Sequence, residues 1–306
     1  MDQLGMQILT KSNRTAKSTA SPTPRPRLEQ VFGEARNFLD NRFVYLVVSQ
    51  RARGLSIGIN LNPHQDCNFK CVYCEISRDQ AQAETEFNVK QMAAELRKTL
   101  TQLQEGRLQE LPEYRTVPEE LIQLRVVTVS GDGEPTLCPS FEEAIQELIH
   151  LRAQAQFPFF KIVLITNGTG LHLPCVQNGL RWLTAQDEIW VKLDVGSQAH
   201  MNRVNRSAVP LEKILANILE LGRQRPIIIQ SLFPLLDEQE PSPEEIRDYV
   251  RRLDELKSAG AQIALVQIYS AHRPTRHPHC RHLSLKCLSQ IAQQVRSATG
   301  LEAEVF

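Results

Sequence analysis

The sequence predicts an α/β fold, a parallel sheet with crossover helices preceded by an N-terminal β-hairpin. Three observations point there. From Leu55 onward, apolar β-branched runs alternate six times with stretches of helical period. Strand-then-helix repetition of this kind gives parallel strands joined by right-handed crossovers. A separate apolar run precedes the first unit, with a short turn between them. Six units make either an open doubly wound sheet or an incomplete barrel, and alternation alone does not choose.

The elements follow in order. Phe43-Val-Tyr-Leu-Val-Val48 is rich in β-branched and aromatic residues and predicts a strand. Gln50-Arg-Ala-Arg-Gly54 predicts a turn, and Leu55 to Leu61 a second strand ending at Pro63. Residues 87–105 place Val89, Met92, Leu96 and Leu100 on one helical face. Leu124–Val129 is a strand, and 140–153 a helix with Pro139 and Ser140 at its start. Phe160–Ile165 is a strand, followed by a helix over 173–184 that opens near Pro174. Glu188–Leu193 is a strand, and 210–223 a helix with Pro210 early. Ile227–Leu232 and Gln262–Tyr269 are strands, followed by helices over 243–258 and 283–298. A short strand from Leu301 to Val305 closes the chain. Residues 1–27 are polar, end in a proline-rich run, and read as a disordered tail, leaving 28–306 as one domain.

Composition narrows the classes. Equal numbers of basic and acidic residues give a formal charge of zero, which argues against global attraction to nucleic acid or anionic membrane. Seven cysteines in 306 residues are too sparse for a disulfide scaffold and fit reduced thiols in the cytoplasm. No apolar run approaches the roughly 18 residues of a membrane span, and no signal peptide opens the chain.

Cys67, Cys71 and Cys74 lie in Asn62-Pro-His-Gln-Asp-Cys-Asn-Phe-Lys-Cys-Val-Tyr-Cys-Glu75, with spacing C-x3-C-x2-C. Electron-transfer clusters use four cysteines. Three thiolates hold three corners of a cuboidal [4Fe–4S] cluster and leave one iron open to a small molecule. Zinc is the main alternative, but it calls for a fourth ligand, and His64 stands only three residues before Cys67. A redox pair of Cys71 and Cys74 would leave Cys67 idle, and buried free cysteines also pack as small hydrophobes.

This spacing, with Tyr73 just before the last cysteine, resembles the signature of the radical S-adenosylmethionine (SAM) superfamily. The resemblance implies a partial (β/α)6 TIM-like barrel with the cluster loop after its first strand. It implies that the open iron chelates SAM through its amino and carboxylate groups. One electron then splits the sulfonium to methionine and a 5′-deoxyadenosyl radical, which abstracts hydrogen from a substrate. A reductant protein such as a flavodoxin or ferredoxin is implied as partner.

Further segments extend the resemblance. Ser130-Gly-Asp-Gly-Glu-Pro-Thr-Leu137 reads by itself as a glycine turn whose Glu134 offers a carboxylate. It is similar to the family's Gly-Gly-Glu-Pro motif, which holds the SAM amino group. Asp132 stands where the first paired glycine would be, with Gly131 one residue earlier and Gly133 retained. Thr166-Asn-Gly-Thr-Gly170 is a turn by composition, and in the resemblance Asn167 is a polar contact to SAM. Trp190-Val-Lys-Leu-Asp194 puts Lys192 and Asp194 two residues apart, hence on one face of a strand. They form either a structural ion pair or, by resemblance, contacts to the SAM carboxylate and ribose.

Tyr269-Ser-Ala-His-Arg-Pro-Thr-Arg-His-Pro-His-Cys-Arg-His282 reads as a solvated basic loop. Arg273 or Arg276 suits an anionic substrate there. A second metal site from His277, His279, Cys280 and His282 is the weaker alternative. Cys138, Cys175 and Cys287 are scattered and read as packing residues.

The combined motifs resemble the group that includes tRNA wyosine-base synthases. Residues 1–66 contain no cysteine, unlike those enzymes, which bind a second cluster there. The substrate is therefore left unassigned among small molecule, RNA base and protein, with RNA-base modification in view. Two alternatives stand beside it: an activating enzyme that makes a glycyl radical on a partner protein, and a non-catalytic iron–sulfur or zinc module.

Overall fold

The computed structural model describes residues 38–76, 86–112, 114–273, 275 and 277–306. The predicted tail at 1–27 and Arg276 lie outside the described residues. Val44–Ser49 (β1) and Gly54–Ile59 (β2) form an antiparallel hairpin with Tyr45 opposite Gly58. A Cβ on Gly58 would sit 2.1 Å from the Tyr45 ring, so the aromatic requires glycine across from it.

The rest alternates as expected. Val89–Gln104 (α1) begins at Asn88, whose side chain accepts the Gln91 amide at 2.9 Å. A short helix, Glu119–Ile122 (α2), leads into Leu124–Val129 (β3). Phe141–Ala153 (α3), Lys161–Thr166 (β4), Pro174–Arg181 (α4) and Glu188–Lys192 (β5) follow. Gln198–Val204 (α5) and Leu211–Gln224 (α6) precede Ile227–Leu232 (β6). Then come Pro234–Leu236 (β7), Pro243–Ser258 (α7) and Ile263–Tyr269 (β8). Cys280–His282 (β9), Leu285–Thr299 (α8) and Ala303–Val305 (β10) complete the chain.

One sheet takes the order β1-β2-β3-β4-β5-β6-β8-β10, parallel throughout from β2. Strands add in chain order without the reversal that marks a doubly wound sheet, which settles the choice for a partial barrel. β1 and β10 are its two edges. The hairpin turn leans across the open side between them. Arg53 meets Glu304 of β10 at 3.2 Å, and the Arg51 guanidinium lies 4.2 Å from the centre of the Tyr269 ring.

Side chains alternate between two environments along every strand. Ile57, Val127, Ile162, Ile189, Ile229 and Val266 point outward into the main core under the helices. Val126, Val163, Trp190 and Ile228 point inward and form a separate apolar plug with Leu265 beside it. The next inward positions are Thr128, Ile165, Lys192, Gln230 and Gln267, polar in every strand but β4. Polar residues above an apolar plug put the chemistry at the carboxyl ends of the strands.

Two ties fix helices to the sheet. Glu95 of α1 is buried and accepts the main-chain amides of Phe43 and Val44 at 2.8 and 3.2 Å. Arg152 of α3 forms two parallel bonds to Asp187, at 2.6 and 3.0 Å.

Three departures from the sequence reading stand out. α5 was not expected, because seven residues are too few to show a period. The 270–282 stretch is not all loop: β9 pairs antiparallel with β7 and buries Cys280. That pairing joins segments far apart in sequence, so no local pattern reports it. α2 is a single short turn with no buried residue.

Candidate active site

The loop after β2 carries Cys67, Cys71 and Cys74, all outside any disulfide and half-buried. It is held on two sides. On one, Lys70 and Val72 donate their amides to the carbonyls of Asn205 and Val204 at the end of α5, both at 2.9 Å. On the other, Asp66 O accepts the Glu134 amide at 2.7 Å. The glycines of the β3 loop serve this second seam. A Cβ on Gly133 would lie 2.3 Å from Asp66 O, and one on Gly131 2.3 Å from Asn60 Oδ1. Asp132, between them, accepts Asn60 Nδ2 at 2.7 Å.

Glu134 is buried, and both of its carboxylate oxygens accept hydrogen bonds. Oε1 accepts from the Thr136 amide at 3.2 Å and from the hydroxyls of Thr136 and Thr166. Oε2 accepts the Asn167 amide at 2.7 Å. Burial raises its pKa, and these donors pull the other way. Its carboxylate thus locks the loops after β3 and β4 together. Asn167 in turn donates Nδ2 to Asn68 Oδ1 at 2.8 Å and lies 3.9 Å from Cys67 Sγ.

Lys192 lines the cavity wall and Asp194 stands behind it, and the two form no ion pair within 4 Å. Asp194 Oδ2 accepts from the Tyr73 hydroxyl and from Asn205 Nδ2 at 2.6 Å, and Oδ1 accepts the Leu232 amide at 2.7 Å. The Lys192 ammonium instead lies 4.6 Å from the centre of the Tyr73 ring. Burial opposes its charge, but Tyr269, Asp194 and Cys71 outweigh that and raise its pKa. The structural ion pair considered for this sequence is therefore absent. Burial pushes the Cys71 thiol up to about 12, with Lys192 pulling against it. Asn205 Nδ2 stands 3.7 Å from Cys71 Sγ.

These groups surround one cavity of about 340 Å³. Its walls include all three cysteines, Tyr73, Gly131, Gly133, Glu134, Asn167 and Lys192. Asp194 stands behind the wall, bonded to Tyr73. Arg273 reaches the rim and pairs with Glu75 at 2.7 Å. Sequence reasoning missed Asn205, Arg51 and Tyr269. A lone Asn at a helix end and an Arg in a hairpin turn carry no periodic or motif signal.

Residues 61–223, more than half of the chain, match the family model described as the radical SAM superfamily. The chain belongs to the radical SAM superfamily. Among curated proteins, a "UPF0026 protein" of Helicobacter pylori (strain J99) is 29% identical over 187 residues, covering 59% of this chain and 52% of that one. The chain thus spans about half the length of the curated relatives it matches. Among solved structures, a radical SAM methyltransferase from Sphaerobacter thermophilus superposes with a TM-score of 0.58 at 15% identity. The alignment covers 86% of this chain and 68% of that one. TYW1 with a lysine-pyruvate adduct bound gives 0.56 at 12% identity, covering 85% of each chain. These likenesses carry the radical SAM barrel as the fold.

A radical SAM enzyme works with SAM and an iron–sulfur cluster, and the donor set here fits. Three thiols outside any disulfide line the same cavity. Among the described residues, no three His, Cys, Asp or Glu side chains converge as around a single metal ion. This holds for the second metal site considered at His277–His282 as well.

Proposed function

We propose that this chain reductively cleaves SAM at a [4Fe–4S] cluster held by Cys67, Cys71 and Cys74 and abstracts hydrogen from a nucleobase in RNA. The observation that carries the reading is the cavity itself. Three thiols, an ammonium that makes no ion pair within 4 Å among the described residues and a glycine loop face one space at the mouth of the barrel. When bound, the cluster supplies one electron that splits the SAM sulfonium to methionine and a 5′-deoxyadenosyl radical.

The chain's own residues do the rest. Lys192 holds its ammonium in the cavity, where a carboxylate is its natural partner. Asn167 and the main chain of Gly131 and Gly133 border the same space and bind the polar end of SAM. Glu134 keeps those two loops in register through its four donors. Asp194 fixes Tyr73 and Asn205, and so sets the position of the loop around Cys71. The apolar plug below closes the cavity floor against water.

The RNA-base assignment is supported by the resemblance of the motifs to those of wyosine-type enzymes. The electron comes from a flavodoxin or ferredoxin, and the setting is the cytoplasm. Among the described residues, no helix is long and apolar enough to cross a membrane. Anaerobic incubation with SAM, dithionite and deuterated RNA tests the reading. Deuterium in 5′-deoxyadenosine supports it. Label transfer from a protein fraction but not from RNA overturns the substrate assignment.

A further inference from the structure

The residues on both sides of Cys71 hook onto the end of α5. Lys70 donates its amide to Asn205 O and Val72 to Val204 O, both at 2.9 Å. Asn205 is itself anchored to that helix, its amide donating to Met201 O at 2.9 Å. Its side chain therefore reaches the cysteine loop from a backbone that the loop already grips.

Asp194 decides which end of the Asn205 carboxamide faces the sulfur. A carboxylate oxygen accepts and does not donate, so the atom 2.6 Å from Asp194 Oδ2 is the amide nitrogen. Asp194 is fixed in turn by the Leu232 amide at 2.7 Å. The same nitrogen lies 3.1 Å from the Tyr73 hydroxyl and 3.7 Å from Cys71 Sγ. One N–H goes to Asp194, which leaves one for Tyr73 and Cys71 to share. The Tyr73 hydroxyl has its own bond to Asp194. A thiolate on iron carries charge and the hydroxyl does not, so ionised Cys71 draws the second N–H to its sulfur. Asn205 is 2% exposed, a setting in which water does not weaken the bond. Cys67 is served differently. Its closer donor is the Phe69 main-chain amide at 3.5 Å, while Asn167 Nδ2, at 3.9 Å, is engaged by Asn68 Oδ1 at 2.8 Å.

We infer that the Asn205 carboxamide donates an N–H to the iron-bound Cys71 sulfur and thereby raises the potential at which the cluster takes its electron. A hydrogen bond to sulfur favours the reduced, more negative cluster over the oxidised one. Reduction adds one electron, taken from dithionite in the test below, and breaks no bond. The inference rests on the [4Fe–4S] reading above. It adds a residue that governs how readily the electron enters, a role apart from holding iron or SAM.

The test follows the midpoint potential of full-length, anaerobically reconstituted protein without SAM, by EPR during titration with dithionite through redox mediators. Iron content and a thermal melt are measured for each protein. Asn205→Leu keeps the bulk of the side chain and removes both N–H groups, and Asn205→Ala removes them with the bulk. Each should retain its iron and shift the reduction equilibrium about tenfold toward the oxidised state, a midpoint about 59 mV more negative for one electron. An unchanged midpoint in the iron-loaded variants overturns the inference. Loss of iron from both variants also overturns it, because Asn205 then builds the site rather than tunes it. Ser197→Ala serves as control: it removes the cap at the other end of α5, where the hydroxyl accepts the His200 amide at 3.3 Å. It should leave the midpoint where it was. An equal shift there overturns the inference, because movement of the helix then accounts for the effect. Failure of the underlying reading looks different: the wild type itself binds no iron.

Discussion

The main-chain amide of Asn167 donates to Glu134 Oε2 at 2.7 Å, joining the loop after β3 to the loop after β4. The same carboxylate takes three more donors from Thr136 and Thr166. Glu134→Ala leaves buried donors unmade and should cost roughly 3 kcal/mol in denaturant unfolding. The pH dependence has a definite sign. Burial raises the folded pKa of Glu134, so its stabilising contribution is full below the ordinary carboxylate range. It is lost as pH rises through the raised value. Glu134→Gln cannot ionise and should flatten that part of the stability profile. An unchanged slope would contradict the burial argument.

The three cysteines should act as a unit. Anaerobically reconstituted protein should bind about four irons and four sulfides per chain. Cys67→Ala, Cys71→Ala and Cys74→Ala should each lose them, whereas Cys175→Ala, on α4 away from the cavity, should retain them. Stoichiometric zinc without iron after anaerobic purification would rule the cluster out.

Lys192 offers a clean separation of stability from binding. With no ion pair to Asp194, Lys192→Ala strips no buried carboxylate of its partner, and the melting temperature should change little. SAM affinity should fall about ten- to hundredfold, the worth of a charge-assisted hydrogen bond. A large loss of stability at unchanged SAM affinity would return Lys192 to a structural role.

Asp187 and Arg152 predict the opposite pH behaviour to Glu134. Burial alone would raise the Asp187 pKa, but Arg152 and the amides of Ile162 and Thr184 hold it below the ordinary value. Its contribution is present above the ordinary carboxylate range and lost as pH falls through the lowered value. Asp187→Asn leaves the Arg152 guanidinium uncompensated and should cost about 3–5 kcal/mol at neutral pH. Acid melts should show a steep decline in the wild type and a flatter one in the variant.

Much of this was legible in the sequence because the barrel alternates so regularly. Val127 and Val129 face the helices while Val126 and Thr128 face inward, and the same period repeats in each later strand. The cysteine loop was legible because its ligands are local. What escaped were relationships made by tertiary contact. The glycines at 131 and 133 read as ligand-approach positions, and packing against Asn60 and Asp66 demands them as well, a need that only tertiary contact reveals. The bonds of the Asp194 carboxylate to Tyr73, Asn205 and Leu232 were likewise not legible, because those partners lie on other elements. Asn205 and Arg51 are single polar residues whose partners lie far away in the chain, and nothing local marks them.

The central claim is that this cavity splits SAM by one-electron reduction, and product analysis tests it most directly. Reconstituted protein incubated anaerobically with SAM and dithionite should yield methionine and 5′-deoxyadenosine in equal amounts, and Cys71→Ala should yield neither. S-adenosylhomocysteine in place of 5′-deoxyadenosine would contradict the account, because the sulfonium would then be losing its methyl group by ordinary transfer.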